Sequence, residues 1–476
     1  MSILVLGGSA SAVAGVESPP TRATTVEGDY RVAVEGIYPS HSDRFGFGVN
    51  PEYGTPSDYD VARLHGGWYV DWGVQLTPSH PAGLDYAQMI WTDADRYTPD
   101  AETLAAIAQA NPGALWLVGN EPDCIYQGNS TPEQYARLYH EIYTLLKTHD
   151  PDSQVAIGGI VQATPLRLRW LDAVLERYQA LYGQEIPVDV WNIHAFILNE
   201  ERDGWGCEIP PGIDAAYGEL RAVDDHDDMD LFAEQIVLFR RWMADHGERN
   251  KPLIVSEYGV LMVYNDGFDW PRVQTFMLRT FEYFMNAIDP ELGYPADENR
   301  LVQRWSWYSL NDKQFEGYNT VSYLFDRFTY EISPLGIDFQ NYTASLYTPY
   351  VDLEIARLSV APAAPYAPPG ETTPVTLIAV IRNSGNTDVQ DVSVQFWTGA
   401  PSQPIGEVQQ ISTIAARTLA SVSVEWPAVP AGGYLVGVTV DGEDQHPESD
   451  EQNNQRTRTL VVGGYQNFLP LSFQGQ

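Results

Sequence analysis

Two glutamates stand at the ends of short apolar runs. Glu121, in Asn120-Glu121-Pro122-Asp123, follows Leu115-Trp116-Leu117-Val118-Gly119; Glu257, in Ser256-Glu257-Tyr258-Gly259, follows Leu253-Ile254-Val255. Such runs read as buried strands, so each carboxylate falls where a strand meets its loop. A pair of this kind suits glycosidic bond cleavage. One carboxylic acid protonates the leaving oxygen and one carboxylate attacks the anomeric carbon, at a separation of about 5–5.5 Å when configuration is retained. Residues so far apart in sequence meet only through a closed fold. Asn120 offers an amide to the hydroxyl beside the reacting carbon, and Tyr258 a hydroxyl to Glu257. Taken alone, Asn-Glu-Pro also suits a helix-start loop in which the glutamate merely caps. The matching placement of the second glutamate favours chemistry.

The elements that must position the pair recur regularly. Eight apolar runs read as strands: 44–50, 67–75, 85–91, 114–120, 154–162, 188–196, 252–258 and 301–310. They are continuous rather than alternating, as strands buried on both faces are. Helical patterns lie between them. After the fourth run Thr131 caps, Pro132 suits the first helical position, and Leu138, Ile142 and Leu146 recur at helical spacing; a similar pattern spans Leu231 to Met243. Eight strands separated by helices predict a (β/α)8 TIM barrel, whose active site lies at the carboxyl ends of its strands. Glu121 and Glu257 fall at the ends of the fourth and seventh.

Other residues fall at the same rim. Asn192, His194 and Phe196 share one face of the sixth run by alternation, and Trp305 and Trp307 share one face of the eighth. The tryptophans are candidate platforms for a sugar ring, as are Trp68, Trp72, Trp91, Trp205 and Trp270, though barrel filling claims some of them. His194 also reads as a packed core histidine. Arg304 alternates onto the other face from Trp305, so no arginine is assigned to Glu257.

Near residue 350 the texture changes. A Pro- and Ala-rich segment, 362–369, leads into short runs of period-two alternation at 375–380, 392–396, 419–426 and 434–440, separated by turn residues. These predict a small antiparallel β-sandwich. The expected organisation is a leader remnant or tail over 1–30, a catalytic barrel over 31–350, a sandwich over 351–463 and a tail over 464–476.

Asn120-Glu121-Pro122 and Glu257 resemble the acid/base and nucleophile motifs of the clan of retaining barrel glycoside hydrolases with catalytic glutamates on strands four and seven. Within that clan, three stretches resemble the glycosyl-hydrolase catalytic-core family, known for β-1,3-glucanases: Trp68-Tyr69-Val70-Asp71-Trp72, Met89-Ile90-Trp91, and Val118 to Asp123 followed by Gln127-Gly128-Asn129-Ser130-Thr131-Pro132. Asp71 stands where that family usually has Asn, and the loop 197–230 is long. The resemblance implies a β-linked polysaccharide substrate, a β-glucan and within that class β-1,3. It also implies a histidine at 194 that contacts sugar or steadies the pair. Asp352-Leu353, Asn383-Ser384-Gly385, Asp441 and the ending Glu448-Ser449-Asp450-Glu451-Gln452-Asn453-Asn454 resemble the CARDB adhesion module, which implies attachment to a secreted bacterial enzyme and contact with a cell surface or polysaccharide.

Composition narrows the partners. The formal net charge of −37, with only three lysines, repels phosphate backbones and excludes nucleic acid, while neutral polysaccharide is not repelled. The acidic stretch Asp224-Asp225-His226-Asp227-Asp228 reads as a solvated loop. No apolar run is long enough to span a membrane. Ile3-Leu4-Val5-Leu6 and the small residues to Ala14 read as the end of a secretory signal, so a secreted or cell-surface monomer is expected. The two cysteines, Cys124 and Cys207, lie in the loops after strands four and six, on one barrel face; in an exported protein they are expected to form a disulfide bracing the loop 197–230. Neither a metal nor a cofactor is expected, since His194 has no histidine neighbour at ligand spacing. The alternative is a non-catalytic carbohydrate-binding protein on the same scaffold.

Overall fold

The computed structural model describes residues 37–315 and 318–463. The expected leader remnant and the tail from 464 lie outside these residues. The eight predicted strands are present. In order, the first part of the chain runs β1 (Phe45–Gly48), β2 (Trp68–Val70), β3 (Asp85–Tyr86), β4 (Gln88–Asp93), β5 (Arg96–Thr98), α1 (Ala101–Ala110), β6 (Leu115–Asn120), α2 (Pro132–His149), β7 (Gln154–Gly159), α3 (Pro165–Tyr182), β8 (Trp191–His194), α4 (Met229–Asp245), β9 (Leu253–Tyr258), α5 (Trp270–Asn286), β10 (Arg304–Trp307), β11 (Gln314–Phe315), β12 (Tyr318–Asn319) and α6 (Pro334–Ala344).

The third predicted run is divided between β3 and β4, with Ala87 between them still donating to Tyr69 O at 3.0 Å. Parallel pairing orders six strands β3-β2-β1-β10-β9-β8, and three more β4-β6-β7, with β5 antiparallel on β4. Parallel bridges Ala156↔Val190 and Ile160↔Ile193 join the β7 segment to that of β8. Helices cover the outer side. The cap at Thr131 forms as its sequence asks, its side chain accepting from Gln134 N at the start of α2.

Alternation divides each strand's side chains between two cores. Phe45, Phe47, Tyr69, Ile90, Trp116, Val118, Val155, Ile157 and Val255 pack against the helices. On the other face Trp68, Val70, Ala87, Met89, Leu117, Ala156, Val190 and Ile254 form a smaller cluster. Burial on both faces explains why these runs are continuously apolar.

The second part is antiparallel: β13 (Leu353–Ala361), β14 (Thr372–Asn383), β15 (Val389–Thr398), β16 (Gln403–Ile414), β17 (Leu419–Pro430), β18 (Gly432–Val440) and β19 (Gln455–Val462). They form a three-stranded sheet, β13-β14-β17, and a four-stranded one, β16-β15-β18-β19, around a separate core of Val375, Leu377, Val394, Phe396, Val436 and Val438. The four predicted runs fall in β14, β15, β17 and β18; three further strands carry too little alternation to be read.

All described residues belong to one compact unit. The sandwich docks at the amino ends of the parallel strands. Buried Asp43, two residues before β1, accepts from Tyr350 Oη at 2.6 Å and pairs with Arg417 at 3.1 Å. Arg456 pairs with Asp152, ahead of β7, at 2.6 Å, and Arg357 donates to Gln109 O at 2.8 Å. A cavity of about 850 Å³ lies at this junction, lined in part by Tyr86, Arg304, Arg382 and Arg417, far along the strands from the two glutamates.

Candidate active site

Glu121 and Glu257 lie at the carboxyl ends of β6 and β9, and the fold brings them together. One oxygen of each, with one nitrogen of His194, lies within 4.8 Å of the others. His194 ends β8 between them. Its Nδ1 is 2.9 Å from Glu121 Oε1 and its Nε2 is 3.9 Å from Glu257 Oε2. The ring has room because residue 159 is glycine; a Cβ there would stand 2.4 Å from His194 Cδ2. Trp72 Nε1 donates to Glu257 Oε2 at 2.9 Å. Asn120, His194, Trp72 and Glu257 line one small cavity.

Two of these residues hold left-handed backbone, Glu121 at φ 42° and Trp72 at φ 55°. For a residue with a Cβ this costs on the order of 1–3 kcal/mol and persists only where the surroundings enforce it. At Glu121 they do: its N–H donates to Gly159 O at 3.1 Å, and its carbonyl accepts from Cys124 N at 2.9 Å and Gly128 N at 3.2 Å.

The electrostatics follow from burial. Desolvation raises the Glu257 carboxyl, and the charge of Glu121 adds to that; the His194 charge and the Trp72 bond oppose it, and the balance pushes it up to about 7. Burial depresses His194, but the Glu257 charge and the bond to Glu121 outweigh it and leave the imidazole above its ordinary value. The three groups would also suit a cation by spacing. Three of their atoms, however, are committed to the His194–Glu121 and Trp72–Glu257 bonds.

A buried ion-pair triad supports the loops. Asp123, two residues past Glu121, pairs with Arg167 at 2.8 Å, and Arg167 Nε pairs with Glu200 at 2.9 Å; all three side chains are fully buried. The same guanidinium donates to Cys207 O and Glu208 O at 3.3 and 2.8 Å. One arginine thus ties the loop after β6 to the loop after β8. Cys124 and Cys207 form the expected disulfide across those loops, with Cα atoms 5.4 Å apart. Nothing near Arg167 in sequence marks this role; only its burial on α3 reveals it.

Several expected rim residues lie elsewhere. Trp305 is buried against Phe45 and Phe284, with ring centroids at 4.7 and 4.8 Å. Trp307 is buried against Tyr258 at 5.4 Å and donates to Ser322 O. Tyr258 points the same way, its hydroxyl 3.4 Å from Thr280 Oγ1 rather than at Glu257. The reason is alternation: 258, 305 and 307 face the helices. Tyr308, on the opposite phase, is the aromatic that reaches the site, 5.7 Å from the Trp72 ring. Trp68 fills the inner cluster and donates to Arg44 O, so it is no platform. Phe196 is buried between the rings of His194 and Tyr308, at 6.2 and 6.5 Å. Trp91 is exposed at the carboxyl end of β4, on the side of Met89, and Trp205 is half-buried beside the disulfide. Trp270 opens α5 and is partly exposed. The acidic stretch at 224–228 is not merely solvated: Arg272 binds Asp227 at 2.6 Å, and buried His226 bonds Ile197 O and Leu261 N.

The chain is similar to several known proteins. Residues 47–204 match the family model of the glycosyl hydrolase catalytic core, a span that includes Trp72, Glu121 and His194 and ends before Glu257. Residues 351–458 match the CARDB model. Over those spans the chain is similar to a glycoside hydrolase core and to a CARDB domain. Among solved structures, a GH128 (subgroup II) endo-β-1,3-glucanase from Sorangium cellulosum is similar at 15% identity and a TM-score of 0.39, over 62% of this chain and 97% of that one. A glucosidase from Croceicoccus marinus is similar at 12% and 0.43, over 83% and 95%. The CARDB domain of a Pyrococcus furiosus protein, in complex with di-metal ions, is similar at 18% and 0.21, over 25% and 99%. No curated protein sequence matches the chain. Among the described residues, no helix is long and apolar enough to cross a membrane.

Proposed function

We propose that this chain is a secreted, retaining glycoside hydrolase that cleaves a β-linked glucan within the chain, by double displacement on a (β/α)8 barrel. The observation that carries the reading is the approach of the two carboxylates. One oxygen of each lies within 4.8 Å of the other, closer to the about 5–5.5 Å of a retaining pair than to the about 6.5–9.5 Å of an inverting one. Closure of the barrel is supported by the parallel neighbours that every one of the eight strand segments has on both sides, through ladders, bridges or single hydrogen bonds.

In this reading Glu257, at the end of β9, attacks the anomeric carbon while Glu121 gives its proton to the departing oxygen. A covalent glycosyl ester forms on Glu257. Water then enters where the leaving group was, Glu121 takes its proton, and the ester breaks with a second inversion. His194 holds Glu121 through Nδ1, and Trp72 holds Glu257 through its indole N–H. Asn120 contacts the sugar, and Trp72, Tyr308, Trp91 and Trp205 supply apolar surface to it. The glucan, and within it the β-1,3 linkage, rests on the resemblance of the stretches around Trp72, Trp91 and Glu121. Export is supported by the disulfide and the CARDB domain.

The test is the anomer released. Proton NMR during hydrolysis of β-1,3-glucan oligosaccharides should show the β-anomer first, changing to the α-anomer by mutarotation. The α-anomer appearing first would overturn retention. Inactivity over β-glucans, mannans and xylans would favour a non-catalytic binding protein.

A further inference from the structure

The outer face of the four-stranded sheet in the CARDB domain is unlike the rest of this acidic chain. Strand alternation and register place Gln395 and Trp397 of β15 beside Thr439 and Gly437 of β18, with Leu435 continuing the same face. They set Gln455, Thr457 and Thr459 of β19 beyond those. None of these side chains is charged, in a chain whose formal charge is −37. Their alternates, Val394, Phe396, Val436, Val438 and Leu460, are buried in the sandwich.

Trp397 lies across this face. Its indole occupies the space left by residue 437, where a Cβ would stand 2.2 Å from ring atom Cζ2. Its Nε1 donates to Thr439 Oγ1 at 3.1 Å, and Gln455 Nε2 reaches the same hydroxyl at 3.4 Å. The ring is thus fixed along the sheet and half-exposed, with exposed Gln455, Thr457 and Thr459 continuing away from it. A large aromatic surface held rigidly, next to neutral hydroxyls and amides, suits the apolar faces and ring hydroxyls of sugars. Three strands at about 4.8 Å spacing give it the reach of more than one sugar ring.

We propose that the outer face of β15, β18 and β19 is a carbohydrate-binding platform for a linear, neutral β-glucan, with Trp397 as its stacking residue. Charge selects the occupant: the chain as a whole repels polyanions, whereas this uncharged patch costs a neutral polymer nothing electrostatically. The choice of glucan rests on the substrate proposed above; the platform itself does not.

The experiment uses the full chain with Glu257→Ala, so that the polymer is not degraded. Co-sedimentation is measured with insoluble β-1,3-glucan, cellulose, mannan and xylan. The parent should bind β-1,3-glucan, and Trp397→Ala should weaken that binding by at least about tenfold. Thr457→Asp leaves the core untouched and places a charge on the face, so it should weaken binding even if the tryptophan variant folds poorly. In the chain with Glu257 intact, Trp397→Ala should hydrolyse short soluble oligosaccharides at the parent rate. Parent-level binding by the Thr457→Asp variant and by a folded Trp397→Ala variant, or no binding of the parent to any of the four polymers, would overturn the platform. Trp397-dependent binding in a chain without hydrolytic activity would leave it standing and overturn the catalytic reading instead.

Discussion

The indole N–H of Trp72 points at Glu257 Oε2 from 2.9 Å, from a residue held in left-handed backbone. This bond stabilises the ionised carboxylate, which burial otherwise disfavours. With Glu257 pushed up to about 7, the proposed nucleophile is protonated below that pH and charged above it. Expected kcat/KM therefore falls as pH drops below about 7. Trp72→Phe removes the donor and should move this acid limb to higher pH; an unmoved limb would separate the bond from the titration.

The same displacement has a stability counterpart. A carboxyl held above its ordinary value favours the folded state at low pH, and that contribution disappears as pH rises through the folded-state value. Glu257→Gln has no charge to bury. It should be more stable than the parent at pH 8 by up to about 3 kcal/mol, from a value of about 7 against the ordinary 4.5, with little difference at pH 4. Urea denaturation at the two pH values measures this.

Removing the proposed nucleophile should be decisive for rate. Glu257→Ala is expected to lose at least about a thousandfold in kcat, with azide restoring turnover of an activated glycoside and giving the inverted product. Glu121→Ala should lose most on substrates with poor leaving groups. Equal loss across leaving groups would count against its acid role.

Arg167 should matter without touching substrate. Arg167→Met strands Asp123 and Glu200 as buried, unpaired carboxylates, and a loss of about 3–5 kcal/mol in unfolding free energy is expected. At temperatures where the variant stays folded, the slope of log kcat/KM against leaving-group pKa should steepen, because Asp123 no longer anchors the loop carrying Glu121. A purely stabilising role would leave the slope unchanged.

A chain truncated after residue 350 loses Arg417, the partner of buried Asp43. It should be less stable than the intact protein. Tyr350 Oη still donates to Asp43 in the truncated chain, but the carboxylate has lost its cation, so Asp43→Asn should recover about 1 kcal/mol. Differential scanning calorimetry of the two truncated chains decides the point.

The sequence was most legible where one physical signal dominated. Continuous apolar runs marked all eight parallel segments because both of their faces are buried. Glu121, Glu257 and His194 followed as strand-end residues, and Cys124–Cys207 followed from two loops on one face. Side-chain phase was harder. On the last strand, Trp305 and Trp307 drew attention as aromatics, yet Arg304 already indicated the opposite phase, which continues through Ser306 to Tyr308. Tyr258 failed for the same reason, since the residue after a cleft-facing glutamate faces the helices. Arg167 could not be read at all. Its ionic partners are 44 and 33 positions away, and a charged residue on a helix is ordinarily solvent-facing. The docking of the sandwich through Asp43 was equally hidden, because a composition change near 350 marks a boundary but says nothing of what crosses it.

The sandwich grips the amino ends of the parallel strands, whereas the paired glutamates open at their carboxyl ends. The two halves of the chain therefore work back to back. On the proposed reading, a polymer seated on the sandwich would not feed directly into the cleft behind it; the molecule would hold one strand of material while presenting its cutting edge to another, as a climber's foothold frees the hand.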